Sequence, residues 1–100
     1  LCAAPLNFYA GMRGFVDYPE DDRPKALRAA PSIDSPLLFN VVEEVPFLIV
    51  GGPTCSDNLN WWQIQVLTST RVTGWMAEGS PGIGYWMREV DPNEYAPPAN

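Results

Sequence analysis

A chain of 100 residues with 46% hydrophobic content and 12% aromatic content closes one core and cannot support two, so a single domain is expected. Six basic residues against twelve acidic ones leave a net charge of −6, which repels a nucleic-acid backbone and an anionic lipid surface alike. The longest uncharged apolar stretch, Val45 to Gly52, falls far short of the roughly 20 residues a membrane-spanning helix needs, so nucleic acid and membrane insertion are both set aside.

Eleven prolines and eight glycines interrupt the chain so often that a run long enough for a helix survives mainly between Pro53 and Pro81, and that run holds Thr68, Ser69, Thr70, Thr73 and Gly74, which are poor helix formers. Short strands and turns are expected throughout. Leu6, Phe8 and Ala10 alternate with Asn7, Tyr9 and Gly11, which predicts an opening strand, and Phe15-Val16 predicts a second. The segment Asp17 to Pro24 carries two prolines and four acids and reads as a solvated loop. Lys25 to Arg28 returns to the sheet with Leu27 inward. Ser32 to Pro36 is a turn by composition, Leu37 to Val42 a strand, and Glu43-Glu44 a break.

Phe47-Leu48-Ile49-Val50 reads as a buried strand ending at Gly51-Gly52-Pro53, with Cys55 to Asn60 as the following loop. In Trp61 to Val66, the residues Trp62, Ile64 and Val66 share one face and Trp61, Gln63 and Gln65 the other, so one face is core and one is wet. A turn near Thr68 to Thr70 leads into Val72 to Ala77, and a glycine-rich loop over Gly79 to Gly84 precedes Tyr85-Trp86-Met87. The tail from Asp91 has three prolines and no apolar period, and reads as a linker or extended arm. The domain is therefore expected over residues 1–90 and the Pro-rich tail over 91–100.

Two cysteines are present, Cys2 and Cys55. Pairing is the economical reading, and a bond closing a loop of that length stabilises a small domain by about 4 kcal/mol through chain entropy. It implies an oxidising compartment. Two unrelated buried thiols in a cytosolic protein are the alternative. A first residue of Leu reads as a processed chain or an excised fragment.

The motifs Leu27-Arg-Ala-Ala-Pro-Ser32, Gly51-Gly-Pro-Thr-Cys-Ser-Asp57, Trp61-Trp-Gln-Ile64, Gly74-Trp-Met-Ala-Glu-Gly79 and Tyr85-Trp-Met87 occur in an order that resembles the bacterial SH3-like domains of extracytoplasmic proteins. The likeness spans about residues 6 to 90. Two departures stand out: Glu43-Glu-Val-Pro46 replaces a Pro-x-Gly turn, and Thr68 to Arg71 lacks a glycine ahead of Gly74-Trp75. The resemblance implies a small all-β SH3-like barrel of about five to seven short strands with an extra N-terminal strand. It implies a disulfide between Cys2 and Cys55. It also implies an extracellular recognition module that binds cell-wall glycan, peptide or protein partners, with the first Trp of the Trp61-Trp62 pair in a ligand groove.

Chemistry is harder to place. The chain has no histidine, which removes the commonest general base and every Ser-His or Cys-His pair, so an enzyme is not expected. Two cysteines without histidine do not make a zinc site, and no cofactor is indicated. The acidic loop of Asp17, Glu20, Asp21 and Asp22, and the loop Asp57 to Asn60, offer oxygen ligands for calcium but lack EF-hand spacing; solubility is the plainer reading. Trp61, Tyr85 and Trp75 are the candidates for a ligand groove, since flat aromatic rings suit sugar faces and proline rings, while core packing is the competing role for each. A different class of function, a structural subunit of an extracellular fibre or surface layer, would use the Leu6–Ala10 strand and the tail to add strands between neighbours, self-association included.

Overall fold

A computed structural model describes residues 2–18 and 23–90, and the tail at 91–100 and most of the acidic loop lie outside the described residues. No helix occurs among the described residues. The strands are β1 (Arg13–Val16), β2 (Lys25–Arg28), β3 (Leu37–Val41), β4 (Pro46–Ser56), β5 (Leu59–Val66), β6 (Thr73–Ala77), β7 (Gly79–Ser80), β8 (Gly84–Tyr85) and β9 (Met87–Glu89). Seven of them form one antiparallel sheet in the order β3-β2-β6-β5-β4-β1-β9, curled into a half-barrel, and β7-β8 make a separate two-stranded ribbon. The protein is all-β, and Cys2 and Cys55 are bonded across a sequence separation of 53.

The core follows from alternation. Phe47 and Ile49 on β4 and Trp62, Ile64 and Val66 on β5 turn inward and are met by Val16, Leu27, Val41, Met76 and Met87 from the flanking strands. Each such side chain removed from water contributes about 1.5–3 kcal/mol, the gain that offsets the ordering of so short a chain. Gly14 is required where β1 crosses this core. A Cβ there would lie 2.6 Å from the Phe47 ring and closer still to the Arg88 carbonyl of β9.

Three expectations are corrected. Leu6 to Ala10 forms no strand: Leu6 and Phe8 are half-buried and tied to other segments, Ala10 is exposed, and the ladder begins at Arg13. The segment instead runs from the disulfide at Cys2 to Gly11 and Met12, where Gly11 N donates to Ile49 O at 2.8 Å and Ile49 N to Met12 O at 2.8 Å. Gly51-Gly52-Pro53 does not end β4, which continues to Ser56 with register shifts at Gly51 and before Thr54, the Gly52–Pro53 peptide being cis. Cys55 to Asn60 is therefore not a loop but a hairpin end. Its turn is only Asp57-Asn58, both in the left-handed region at φ 58° and 61°, the geometry that matches strand twist in a two-residue hairpin.

The turns at Glu43 to Pro46 and Thr68 to Arg71 are built with left-handed residues other than glycine. Glu44 takes φ 68° and donates its N–H to Val16 O, while Arg71 takes φ 52° and closes on Thr68 O at 3.1 Å. The hairpin between β5 and β6 forms, with Gln65 opposite Thr73.

Two outcomes test this architecture. Gly14→Ala is expected to lower unfolding free energy by about 1–3 kcal/mol in urea denaturation, through overpacking against Phe47; an unchanged midpoint would contradict the close crossing. Thiol titration of the native protein should find no free cysteine, and reduction should lower the thermal midpoint, in line with a loop-closure term of about 4 kcal/mol.

Candidate functional site

A concavity of about 750 Å³ opens among the described residues. Three segments far apart in sequence wall it: Ala3 of the N-terminal segment, residues 58–60 of the β4–β5 hairpin, and residues 78–82 and 84–85 of the β7–β8 ribbon. The ribbon is thin because Gly79 faces Tyr85 in register, and a Cβ on Gly79 would sit 2.9 Å from the Tyr85 Cα. That leaves the Tyr85 ring as the large side chain at the concavity, 45% exposed.

Glu78 organises the floor of this groove. It joins β6 to β7, only 3% exposed, with its backbone N–H donating to Asn60 O at 2.9 Å and its C=O accepting from Trp86 N at 3.0 Å. Its Oε1 accepts the indole N–H of Trp62 at 2.9 Å and the backbone N–H of Leu6 at 3.1 Å. Among the described residues its Oε2 receives one contact, from Asn60 Nδ2 at 3.4 Å, and the same amide nitrogen donates to Ala3 O at 2.9 Å. An ionised carboxylate in so buried a place costs several kcal/mol unless hydrogen bonds replace its water. Two good N–H donors, each worth about 1.5–3 kcal/mol to a charged acceptor, go far towards that compensation. Phe8 packs on Trp62 with ring centroids 5.2 Å apart, so the same few residues fasten the N-terminal segment over the sheet end.

The aromatic candidates are not brought together. Tyr85 lines the groove. Trp61 points to the face opposite Trp62, as alternation requires, but it is 2% exposed and its indole N–H donates to Ser56 O at 2.8 Å. With its polar edge satisfied the ring can bury completely, and it offers no ligand surface; its place in an open groove is corrected. Trp75 lies half-buried on β6, opposite Gln63 on one side and Arg28 on the other, away from the groove. A further aromatic group, missed in the sequence, holds Lys25: its ammonium is 4.5 Å from the Trp86 ring centroid and 5.2 Å from that of Tyr18. This cation–π arrangement helps to hold a lysine buried in β2.

Of the calcium candidates, Glu20, Asp21 and Asp22 lie outside the described residues. Asp57 is used structurally, accepting Ile33 N on Oδ2 at 2.9 Å and so tying the β2–β3 loop to the hairpin tip. Among the described residues no group of three His, Cys, Asp or Glu side chains is placed to hold a metal.

Sequence reasoning missed Glu78 and Asn60. A signal existed: on β6, Gly74 and Met76 face inward, and carrying the two-residue period one step further puts an acid at position 78 on the core side. Comparison with family models, with curated proteins and with solved structures returns no match, so the site is read from its own geometry.

The anchoring role of Glu78 predicts an asymmetric pair of variants. Glu78→Ala, which strands the Trp62 indole and Leu6 N–H groups, is expected to cost about 3 kcal/mol or more in chemical denaturation, whereas Glu78→Gln, which keeps a carbonyl acceptor of the same shape, should cost about 1 kcal/mol. Equal losses for the two would contradict it.

Proposed function

We propose that the protein is a non-catalytic extracellular recognition module that binds cell-wall polymer through the groove between the N-terminal segment and the β7–β8 ribbon. The observation that carries this reading is Tyr85, 45% exposed, at a concave surface whose wall beside it includes the backbone of Gly79, Gly82 and Gly84. An aromatic face takes the apolar side of a sugar or a peptide side chain, and backbone N–H and C=O groups beside it fix orientation. The disulfide suits the oxidising surroundings such a module meets. A chain without histidine supports a binding role over catalysis, and the order of the tryptophan and glycine motifs supports kinship with bacterial SH3-like domains.

A second reading, a structural subunit assembled by strand addition, is favoured by β3. It is an edge strand, and its Leu37 and Leu38 are exposed, with Val42 exposed just beyond its end. Such an edge accepts an incoming strand. Leu6 to Ala10 does not serve as the donor in this fold, since the disulfide at Cys2, the Leu6 bond to Glu78 and the Phe8 contact hold that segment.

Co-sedimentation with purified peptidoglycan separates the two. The module should pellet with the polymer as a monodisperse monomer, and Tyr85→Ala should weaken retention by about tenfold, the loss of one aromatic stacking contact with its buried area. Long assemblies in electron micrographs together with no retention on the polymer would favour the structural subunit instead.

A further inference from the structure

We propose that the groove recognises a protonated primary amine, whose ammonium group lies against Glu78 Oε2 and beside the ring of Tyr85. Glu78 is only 3% exposed, yet it lines the cavity, and among the described residues it is the one charged side chain that does so. Its two oxygens are used unequally. Oε1 is taken by Trp62 Nε1 and Leu6 N, while among the described residues Oε2 has only the Asn60 amide at 3.4 Å, long for a donor to a carboxylate. Each carboxylate oxygen has two lone pairs, so Oε2 retains capacity for a further donor, on a residue that lines the groove. The donors that meet this carboxylate among the described residues are all neutral N–H groups.

A ligand that completes this site donates hydrogen bonds and carries positive charge. An ammonium does both: it has three donors and no acceptor, one for Oε2 and the others for groove carbonyls. The Tyr85 ring on the same cavity adds attraction for a cation over its face. The net charge of −6 draws cations towards the surface and turns anions away. A phosphate or carboxylate ligand would meet a buried like charge, and a neutral hydroxyl would gain only an ordinary hydrogen bond. The inference rests on the reading of this groove as the binding site, and it narrows the recognised part of the polymer to a free amine.

The test is an NMR titration of the intact protein with n-butylammonium chloride, set against N-butylacetamide and against sodium chloride at equal ionic strength. Butylammonium should shift the Trp62 indole N–H and the amides of Gly79, Gly84 and Tyr85 along a saturating curve, with little response to the other two solutes. Glu78→Gln should weaken the binding about tenfold or more, the loss of a charge-assisted contact, and Tyr85→Ala by several-fold. Equal binding of butylammonium and N-butylacetamide, no saturating response to the amine, or unchanged affinity in Glu78→Gln would overturn the proposal. If Glu78→Gln does not fold, the contrast between amine and amide on the native protein, with Tyr85→Ala, decides. Retention on peptidoglycan without amine binding overturns the amine assignment alone; amine binding without such retention upholds it and overturns the cell-wall reading.

Discussion

The carboxylate of Glu78 is the constraint on which one end of this small barrel depends. A charge that deep is tolerated only where donors replace its water, and the donors come from a segment with no ladder of its own, from the central strand β5, and from the strand's tryptophan. Meeting that requirement places Leu6, Asn60 and Trp62 at fixed positions around one group. The backbone of the same residue continues the arrangement, since Asn60 O and the N–H of Trp86 are held by Glu78 as well. The groove is the space left beside this knot, so its shape and its chemistry have a common origin.

The disulfide and the buried acid divide the task of holding the N-terminal segment. Cys2–Cys55 fixes the outer end to the far part of β4, Glu78 and the Phe8–Trp62 contact hold the middle, and Gly11 and Met12 join it to Ile49. Loop closure acts on the unfolded chain, whereas the Glu78 bonds act on the folded one. A hundred residues bury too small a share of their surface for either to be dispensable at little cost.

What the sequence made legible was what strand alternation and elementary turn chemistry determine. Trp62, Ile64 and Val66 inward, Leu27 inward and the break at Glu43-Glu44 all follow from local pattern, and all are found. Pattern misled where tertiary contacts supply the alternative. Leu6, Phe8 and Ala10 alternate as a strand does, but disulfide and side-chain ties hold the segment without pairing it. Gly51-Gly52-Pro53 carries the marks of a loop, yet β4 absorbs it with shifts of register. Alternation also tells which face a ring is on but not whether that face is covered, which is why Trp61 proved to be packed. The groove was the least legible part, because its walls come from positions 3, 58–60, 78–82 and 84–85 and only the folded chain sets them side by side.

The central claim is that the acid at position 78 locks the N-terminal segment to the sheet as one cooperative unit. Native-state hydrogen exchange tests it most directly, read at the N–H of Leu6, the N–H of Trp86 and the indole N–H of Trp62, the first two bonded to Glu78 through side chain and backbone respectively and the third through its Oε1. The account predicts that all three are protected to a similar degree, close to that of the core amides of β5. Rapid exchange at Leu6 beside strong protection at Trp62 would contradict it, for the segment would then open independently of the carboxylate that is held to secure it.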